Sequence, residues 1–359
     1  MKAIVCAGGT GGHIYPALAI INKIKEKQPD SQILYIGTTT RMESELIPKL
    51  GIDFKGIDME GLDRKNILRN FKVLNKYQKA ITKAKEIIKE FNPDIVIGAG
   101  GYITAPVLYA AHKLNYKTII HEQNSIPGLS NKLISKYADK ICVSLPGTID
   151  YFPKDKVVYT GNPRSEEICK IKKANKKDYN LLVNKKLVVI VMGSLGSTTM
   201  TEKIKNMINN FKNKDYQVLI VTGSNYYESY KNIELPSNVF ITPFVEDFTS
   251  LEKSTDLIIS RAGASTIAEI TAIGLPSILV PSPYVTNNHQ YKNAKELEDK
   301  GATKIITEED FNSDIVISEI DNILNNPDLY NKMKEASLKL GVTTSATKIY
   351  DEINELIKG

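Results

Sequence analysis

Short β-branched runs alternate with longer helical patterns along all 359 residues, and the series runs through twice. In the first half the runs are 2–6, 32–37, 94–98, 117–121, 140–144 and 156–160, with helical patterns at about 14–27, 70–91, 104–114 and 129–138 between them. In the second half the runs are 187–192, 217–222, 239–242, 256–260, 277–281 and 303–306, and helical patterns at about 200–212, 246–253, 265–273 and 289–300 follow them. A strand that is followed by a helix before the next strand implies crossover connections, and so parallel sheets covered on both faces. Two such series, in a chain longer than the usual domain of roughly 100–200 residues, predict an α/β protein of two Rossmann-like, doubly wound domains. The polar stretch 162–185, rich in lysine, marks the seam, so the domains are expected at 1–162 and 163–341. The final helical patterns, at about 313–325, 328–340 and 345–357, have no strand after them. The last, about 342–359, is expected to return and pack on the first domain.

No apolar run approaches the roughly 18–20 residues needed to span a bilayer. The start, Met1 to Cys6, turns Gly-rich after a few apolar residues and reads as a first strand, not a signal peptide. Three cysteines without paired spacing, Cys6, Cys142 and Cys169, argue against a disulfide framework and for a reducing, cytoplasmic setting. Cys6 and Cys142 lie in apolar runs and are expected to be buried. The four histidines are scattered, with neither HExxH nor CxxC, which disfavours a structural zinc site. The net charge of +6 is local: residues 62–90 hold nine Lys/Arg against three Asp/Glu and carry the whole excess.

The chemistry sits where runs end in glycine. The first run ends in Ala7-Gly8-Gly9-Thr10-Gly11-Gly12-His13, and a helical pattern follows. Such a turn lets backbone N–H groups approach an anion at a helix N-terminus. It is not a P-loop, because no Gly-Lys-Ser/Thr is present. The dinucleotide fingerprint would want glycine at Ile14 and an acid near Gly37-Thr38-Thr39-Thr40, so a dinucleotide site is disfavoured. A second cluster, Gly98-Ala99-Gly100-Gly101-Tyr102, and a third, His121-Glu122-Gln123-Asn124, end two further runs of the same domain. Three polar clusters at strand ends converge on one crevice.

The second domain repeats this logic. One run ends in Gly193-Ser194-Leu195-Gly196-Ser197 and another in Arg261-Ala262-Gly263-Ala264-Ser265-Thr266. The N–H groups at the second of these suit a diphosphate. Glu269, one helical turn in, is suited to accept both hydrogen bonds of a ribose diol; a capping glutamate is the plainer reading. Gln290, after Asn287-Asn288-His289, can both donate and accept, as recognition of sugar hydroxyls requires.

As an ordered set, these residues resemble the MurG family, the UDP-N-acetylglucosamine:lipid-linked muramoyl-pentapeptide N-acetylglucosaminyltransferases of bacterial wall synthesis. The resemblance runs over nearly the whole chain. It adds Pro127-Gly128 and the Gly-Asn-Pro-Arg at 161–164 to the clusters above. It implies the GT-B fold, two Rossmann-like domains facing across a cleft, with UDP-N-acetylglucosamine as donor and lipid I as acceptor. It also implies that Thr10, Gly11, Gly12 and Asn124 touch the donor from the first domain. Arg164, Ser194, Val245, the segment Ala264, Ser265, Thr266, Ile267, Ala268 and Glu269, and Gln290 would hold the donor from the second. Gly8, Gly9, Gly100, Gly101, Tyr102 and His121 are expected at the acceptor.

Inverting transfer needs a base for the acceptor hydroxyl, and His13 is the first candidate, since a reference pKa of about 6.5 keeps it mostly neutral in the cytosol. Glu122 is the second. No cofactor and no essential metal are expected. A lipid-linked acceptor requires docking on the anionic cytoplasmic face of the membrane, and Arg64, Lys65, Ile67, Leu68, Arg69, Phe71 and Lys72 are the expected patch. The competing readings are another GT-B transferase or a UDP-N-acetylglucosamine 2-epimerase, a dinucleotide-dependent oxidoreductase, and a nucleic-acid-binding module on 62–90. The last is disfavoured because Phe71 and Tyr77 both fit a core-facing stripe, so no nucleic-acid partner is expected.

Overall fold

The computed structural model describes residues 1–61, 67–193 and 197–359, with the backbone alone for 67–72. The chain forms two compact units, one of residues 1–166 and 344–359, the other of 167–343.

The first unit holds β1 (Lys2–Cys6), α1 (Gly11–Lys27), β2 (Gln32–Thr38), α2 (Met42–Lys49), β3 (Asp53–Ile57), α3 (Ile67–Phe91), β4 (Ile95–Gly98), α4 (Thr104–Lys113), β5 (Lys117–Glu122), α5 (Leu129–Ile134), β6 (Lys140–Val143) and β7 (Val157–Tyr159). Its sheet has the order β3-β2-β1-β4-β5-β6-β7, with every pairing parallel. Side chains alternate across a strand, so β1 feeds two layers. Ile4 and Cys6 join the layer that contains Ala80, Ile81 and Ile88 of α3 and Val107 and Leu108 of α4. Ala3 and Val5 join the layer of Ile14, Ile20, Ile21 and Ile24 of α1. Burial on both faces explains why β1 reads as an unbroken apolar run.

Helix α6 (Arg164–Lys170) starts in the first unit and carries the chain into the second. The second unit holds β8 (Lys186–Val191), α7 (Thr198–Met207), β9 (Tyr216–Val221), β10 (Val239–Thr242), α8 (Phe248–Glu252), β11 (Leu257–Ser260), α9 (Ala264–Ile273), β12 (Ser277–Leu279), α10 (His289–Glu298), β13 (Thr303–Ile305), α11 (Ser313–Asn325) and α12 (Pro327–Leu340). Its sheet, also wholly parallel, has the order β10-β9-β8-β11-β12-β13. Val188 and Ile190 of β8 pack with Met200 and Ile204 of α7 and Val316 and Ile320 of α11.

Helix α13 (Ser345–Lys358) lies in the first unit, where Ile349 and Ile353 join the α1 layer. Glu166 ties the two chain crossings together. Its carboxylate accepts from Thr347 N (2.7 Å) and Thr347 Oγ1 (2.8 Å) and pairs with buried Lys23 at 2.7 Å. Among the described residues no helix is long and apolar enough to cross a membrane.

Three elements have no counterpart in the sequence reading: β3, α2 and α6, the last of which begins the stretch read as a polar seam. Strand β3 lies at the sheet edge, where alternate positions stay exposed, so Asp53-Phe54-Lys55-Gly56-Ile57 shows no apolar run. Helix α2 buries only Glu43 and Ile47, too few for a visible stripe.

Candidate active site

In each sheet the strand order reverses once, between β1 and β4 and between β8 and β11. A parallel sheet leaves a crevice at the carboxyl ends of the strands at such a point, and ligands bind there. The glycine clusters after β1 and β4, and those after β8 and β11, fall at these two reversals.

In the first unit α1 begins earlier than its apolar pattern, at Gly11, with Thr10 as the extended N-cap residue and no side-chain cap. Gly11, Gly12 and His13 therefore form its first turn, with their N–H groups at the helix start. The β4–α4 loop packs directly on the β1–α1 turn: Gly8 N donates to Gly100 O at 3.3 Å. This approach requires glycine. Gly101 has φ +87°, and a Cβ there would lie 2.3 Å from Gly8 O. At Gly100, φ +100°, a Cβ would lie 2.5 Å from the His13 ring. His13, half-buried, points Nδ1 at Gly8 O, 3.1 Å away. A carbonyl can only accept, so Nδ1 carries the hydrogen and Nε2 the lone pair.

Behind the glycine loops lies a buried polar network. His121 is 1% exposed, which removes it from the acceptor contacts expected for it. Its Nδ1 accepts from Gln123 Nε2 (3.1 Å), and its Nε2 faces Gly161 O (3.3 Å) and Ser144 Oγ (3.2 Å). Burial drives its pKa down to about 4, against the Gly161 hydrogen bond and helped slightly by His13, so the ring is neutral. Glu122 is also 1% exposed. Oε1 accepts from Asn124 N (3.0 Å) and Asn124 Nδ2 (3.3 Å); Oε2 accepts from Gly128 N (3.0 Å) and Asn131 Nδ2 (2.9 Å). With four donors on a buried carboxylate, Glu122 is built to hold the 122–131 loop, not to take a proton from a ligand. Asn124 is held in place by this carboxylate and by Thr148, which donates to its carbonyl at 2.9 Å.

In the second unit α9 begins at Ala264, behind the extended N-cap residue Gly263. Ser265 Oγ, in its first turn, is buried and has no hydrogen-bond partner, an orphaned donor at a helix start suited to an anion. Ile267 and Ala268 are 3% and 4% exposed and face the core, so only Ala264, Ser265, Thr266 and Glu269 of the expected segment are open to a ligand. Val245 is 5% exposed, which leaves only its backbone for contact. Gln290 Oε1 accepts from Ser282 N at 2.9 Å, which commits its acceptor and turns its amide N–H groups outward as donors. Ser194 lies outside the described residues.

Arg164, expected in the second domain, belongs to the first unit, where its guanidinium carbon lies 5.6 Å from the centre of the Tyr15 ring. Of the basic patch, Arg64 and Lys65 lie outside the described residues, as do the side chains of Ile67, Leu68, Arg69, Phe71 and Lys72. Further along α3, Ile81 and Ile88 are buried, and Lys76 is paired with Asp58 (3.0 Å) and Glu60 (2.6 Å). Glu43 carried no sequence signal, and Arg261 was visible in its motif without the role its contacts give it. Glu43, on α2, is wholly buried beneath the β1–α1 turn. Arg261 gives one N–H to Val280 O at 3.1 Å and pairs with Glu308, and its NH2 reaches Ser197 Oγ at 3.2 Å, fixing the start of α7. Both act through tertiary contacts that no local spacing announces.

Residues 3–143 match the glycosyltransferase family 28 N-terminal domain, and residues 187–353 match the C-terminal domain of the same family. A Bacillus cereus protein named UDP-N-acetylglucosamine--N-acetylmuramyl-(pentapeptide) pyrophosphoryl-undecaprenol N-acetylglucosamine transferase 1 is 46% identical, with both chains covered in full. A Halalkalibacterium halodurans transferase of the same name is 44% identical, again over the whole of both chains. The crystal structure of Acinetobacter baumannii MurG superposes with a TM-score of 0.80 at 29% identity, covering 99% of each chain. A UDP-N-acetylglucosamine 2-epimerase from Neisseria meningitidis, at 16% identity and a TM-score of 0.70, shares the fold. Two parallel-sheet α/β units of the GT-B kind, matched to both domains of family 28 and to full-length relatives of this identity, place the chain in the MurG family of glycosyltransferases.

Proposed function

We infer that the chain transfers N-acetylglucosamine from UDP-N-acetylglucosamine to the muramoyl 4-hydroxyl of undecaprenyl-diphospho-N-acetylmuramoyl-pentapeptide, making lipid II. The full-length likeness to the Bacillus cereus transferase carries this reading. The chemistry is one inverting displacement. The acceptor oxygen forms a bond to the anomeric carbon as the bond from that carbon to the diphosphate breaks. UDP takes the electron pair, and the acceptor proton passes to a base. His13 is the base, because its Nδ1–H is committed to Gly8 and its lone pair sits on Nε2. Charge gathering on the departing diphosphate is met by the start of α9, with the unpartnered Ser265 hydroxyl. Glu269 holds the ribose and Gln290 donates to the donor. Tyr102 lies on the acceptor side.

UDP-N-acetylglucosamine should raise the melting temperature, and the TDP analogue should raise it much less. Glu269→Ala should weaken donor binding, measured by calorimetry, by about 1.5–3 kcal/mol, the range for a hydrogen bond to a charged group. Unchanged affinity would remove the ribose role.

The acceptor is lipid-linked, so the enzyme works at the cytoplasmic membrane surface as a peripheral protein. The charge excess confined to 62–90 supports docking there. Lys76 is occupied by Asp58 and Glu60, and Arg64, Lys65, Arg69 and Lys72 are assigned to lipid on their sequence alone. Each contributes about 1 kcal/mol with anionic lipid, screened by salt. Reversing these four to glutamate should abolish sedimentation with anionic vesicles and spare transfer to a short-lipid acceptor. A quadruple variant that still pellets like wild type would place the docking surface elsewhere.

A further inference from the structure

The buried carboxylate of Glu43 takes no part in the mechanism above. Glu43 is fully buried at the start of α2, under the β1–α1 turn. Its Oε1 accepts from Thr38 N (3.0 Å) and Thr38 Oγ1 (2.7 Å), which anchor it to the end of β2. Its Oε2 accepts from Gly9 N at 3.1 Å. Gly8 rests directly on it, since a Cβ at Gly8 would lie 2.6 Å from Oε1.

The peptide it grips is the one that holds His13. The N–H of Gly9 and the C=O of Gly8 are the two ends of a single planar amide. Glu43 takes the N–H end, and the Nδ1–H of His13 donates to the C=O end. The N–H and C=O dipoles of one amide point along the same line, so a carboxylate on the first makes the carbonyl at the other a stronger acceptor. We propose that Glu43 is a positioning residue for the transfer reaction: through the Gly8–Gly9 peptide it fixes the tautomer of His13 and strengthens Nε2 as a base. It does the work of the carboxylate that orients a catalytic imidazole directly, with one amide interposed. Direct contact is closed off because Gly8 lies between them and Gly100 and Gly101 press on the ring and on the Gly8 carbonyl from the other side. The proposal rests on the reading of His13 as the base.

The other charged or titratable groups around this array do not compete in the working range. His121, on β5, is neutral above about 4. Tyr35, on β2, is held well above its usual range, mainly by burial and then by Glu43 itself, and donates to Ala7 O at 3.1 Å. Burial pushes the Cys6 thiol, on β1, to about 12. Arg41, before α2, is a permanent cation that engages Tyr102 Oη at 3.3 Å.

The test is an NMR titration of the four imidazoles in the wild type and in Glu43→Gln, paired with kcat against pH. Wild-type His13 should show the Nδ1–H tautomer. In Glu43→Gln its midpoint should fall by a few tenths to about one pH unit, and the acid limb of kcat should move down with it. A purely structural role for Glu43 would change stability and leave that midpoint alone. A folded Glu43→Gln with an unmoved His13 midpoint overturns the relay. If that variant does not fold, the wild type still decides: the Gly9 amide nitrogen should titrate with His13, and a Gly9 amide blind to His13 overturns the proposal. His13→Gln within a few-fold of wild-type turnover would remove the base reading alone, because the imidazole titration reports the relay without reference to turnover.

Discussion

Replacing His13 by alanine lowers turnover by about 10²–10⁴-fold, the usual worth of a positioned general base, and leaves donor affinity nearly unchanged. The two halves of this expectation come from separate features. The loss in turnover follows from removing the imidazole at the β1–α1 turn whose Nδ1–H is committed to Gly8 O; His121 is buried and neutral and cannot substitute. The donor contacts proposed for the second unit, at the start of α9 and at Gln290, are made by residues other than His13. Steady-state kinetics with saturating acceptor, together with donor calorimetry, checks both. Turnover within a few-fold of wild type would mean that another group takes the proton.

Glu122→Ala lowers stability by about 2–4 kcal/mol, because it strands the Asn131 amide and leaves the 124–128 loop without its anchor. For a unit of this size, that is a fall in melting temperature of about 5–15 °C. Activity falls with it, through misplacement of Asn124. Glu122→Gln separates structure from chemistry, since it keeps the side-chain shape and part of the hydrogen bonding. It should melt between wild type and Glu122→Ala and retain most turnover. A glutamine variant that melts like wild type, yet loses as much turnover as His13→Ala, would make Glu122 the base.

The alternation of apolar runs made the two parallel sheets legible, because strands such as β1, buried on both faces, write their burial as unbroken Ile/Val/Ala runs. The glycine clusters were legible for a related reason. Close approach of the β1–α1 and β4–α4 loops leaves no room for a Cβ at Gly101, and only glycine accepts its positive φ. Strand β3 and helix α2 were not legible, since an edge strand and a mostly exposed helix carry little periodic signal. With α2 went Glu43, whose place depends on tertiary packing against Thr38 and Gly9. Burial was the other blind spot. His121 and Glu122 read as ligand groups because they are polar and follow a strand. In the fold the β5 end is covered, and both turn inward to satisfy Gln123, Ser144, Asn131 and the 124–128 backbone. Arg164 was placed in the second domain by the family resemblance and by a seam read from 162 onward, whereas Glu166 pins the start of α6 to the first unit through Lys23 and Thr347.

The most direct measurement is transfer of labelled N-acetylglucosamine from its UDP donor to a synthetic lipid I analogue, with UDP release and the anomeric configuration of the product followed together. One UDP should be released per labelled disaccharide formed, with the sugar attached at the muramoyl 4-hydroxyl and the anomeric configuration inverted relative to the donor. Release of UDP without label in the acceptor, formation of the donor's 2-epimer, or a product with retained configuration would contradict it.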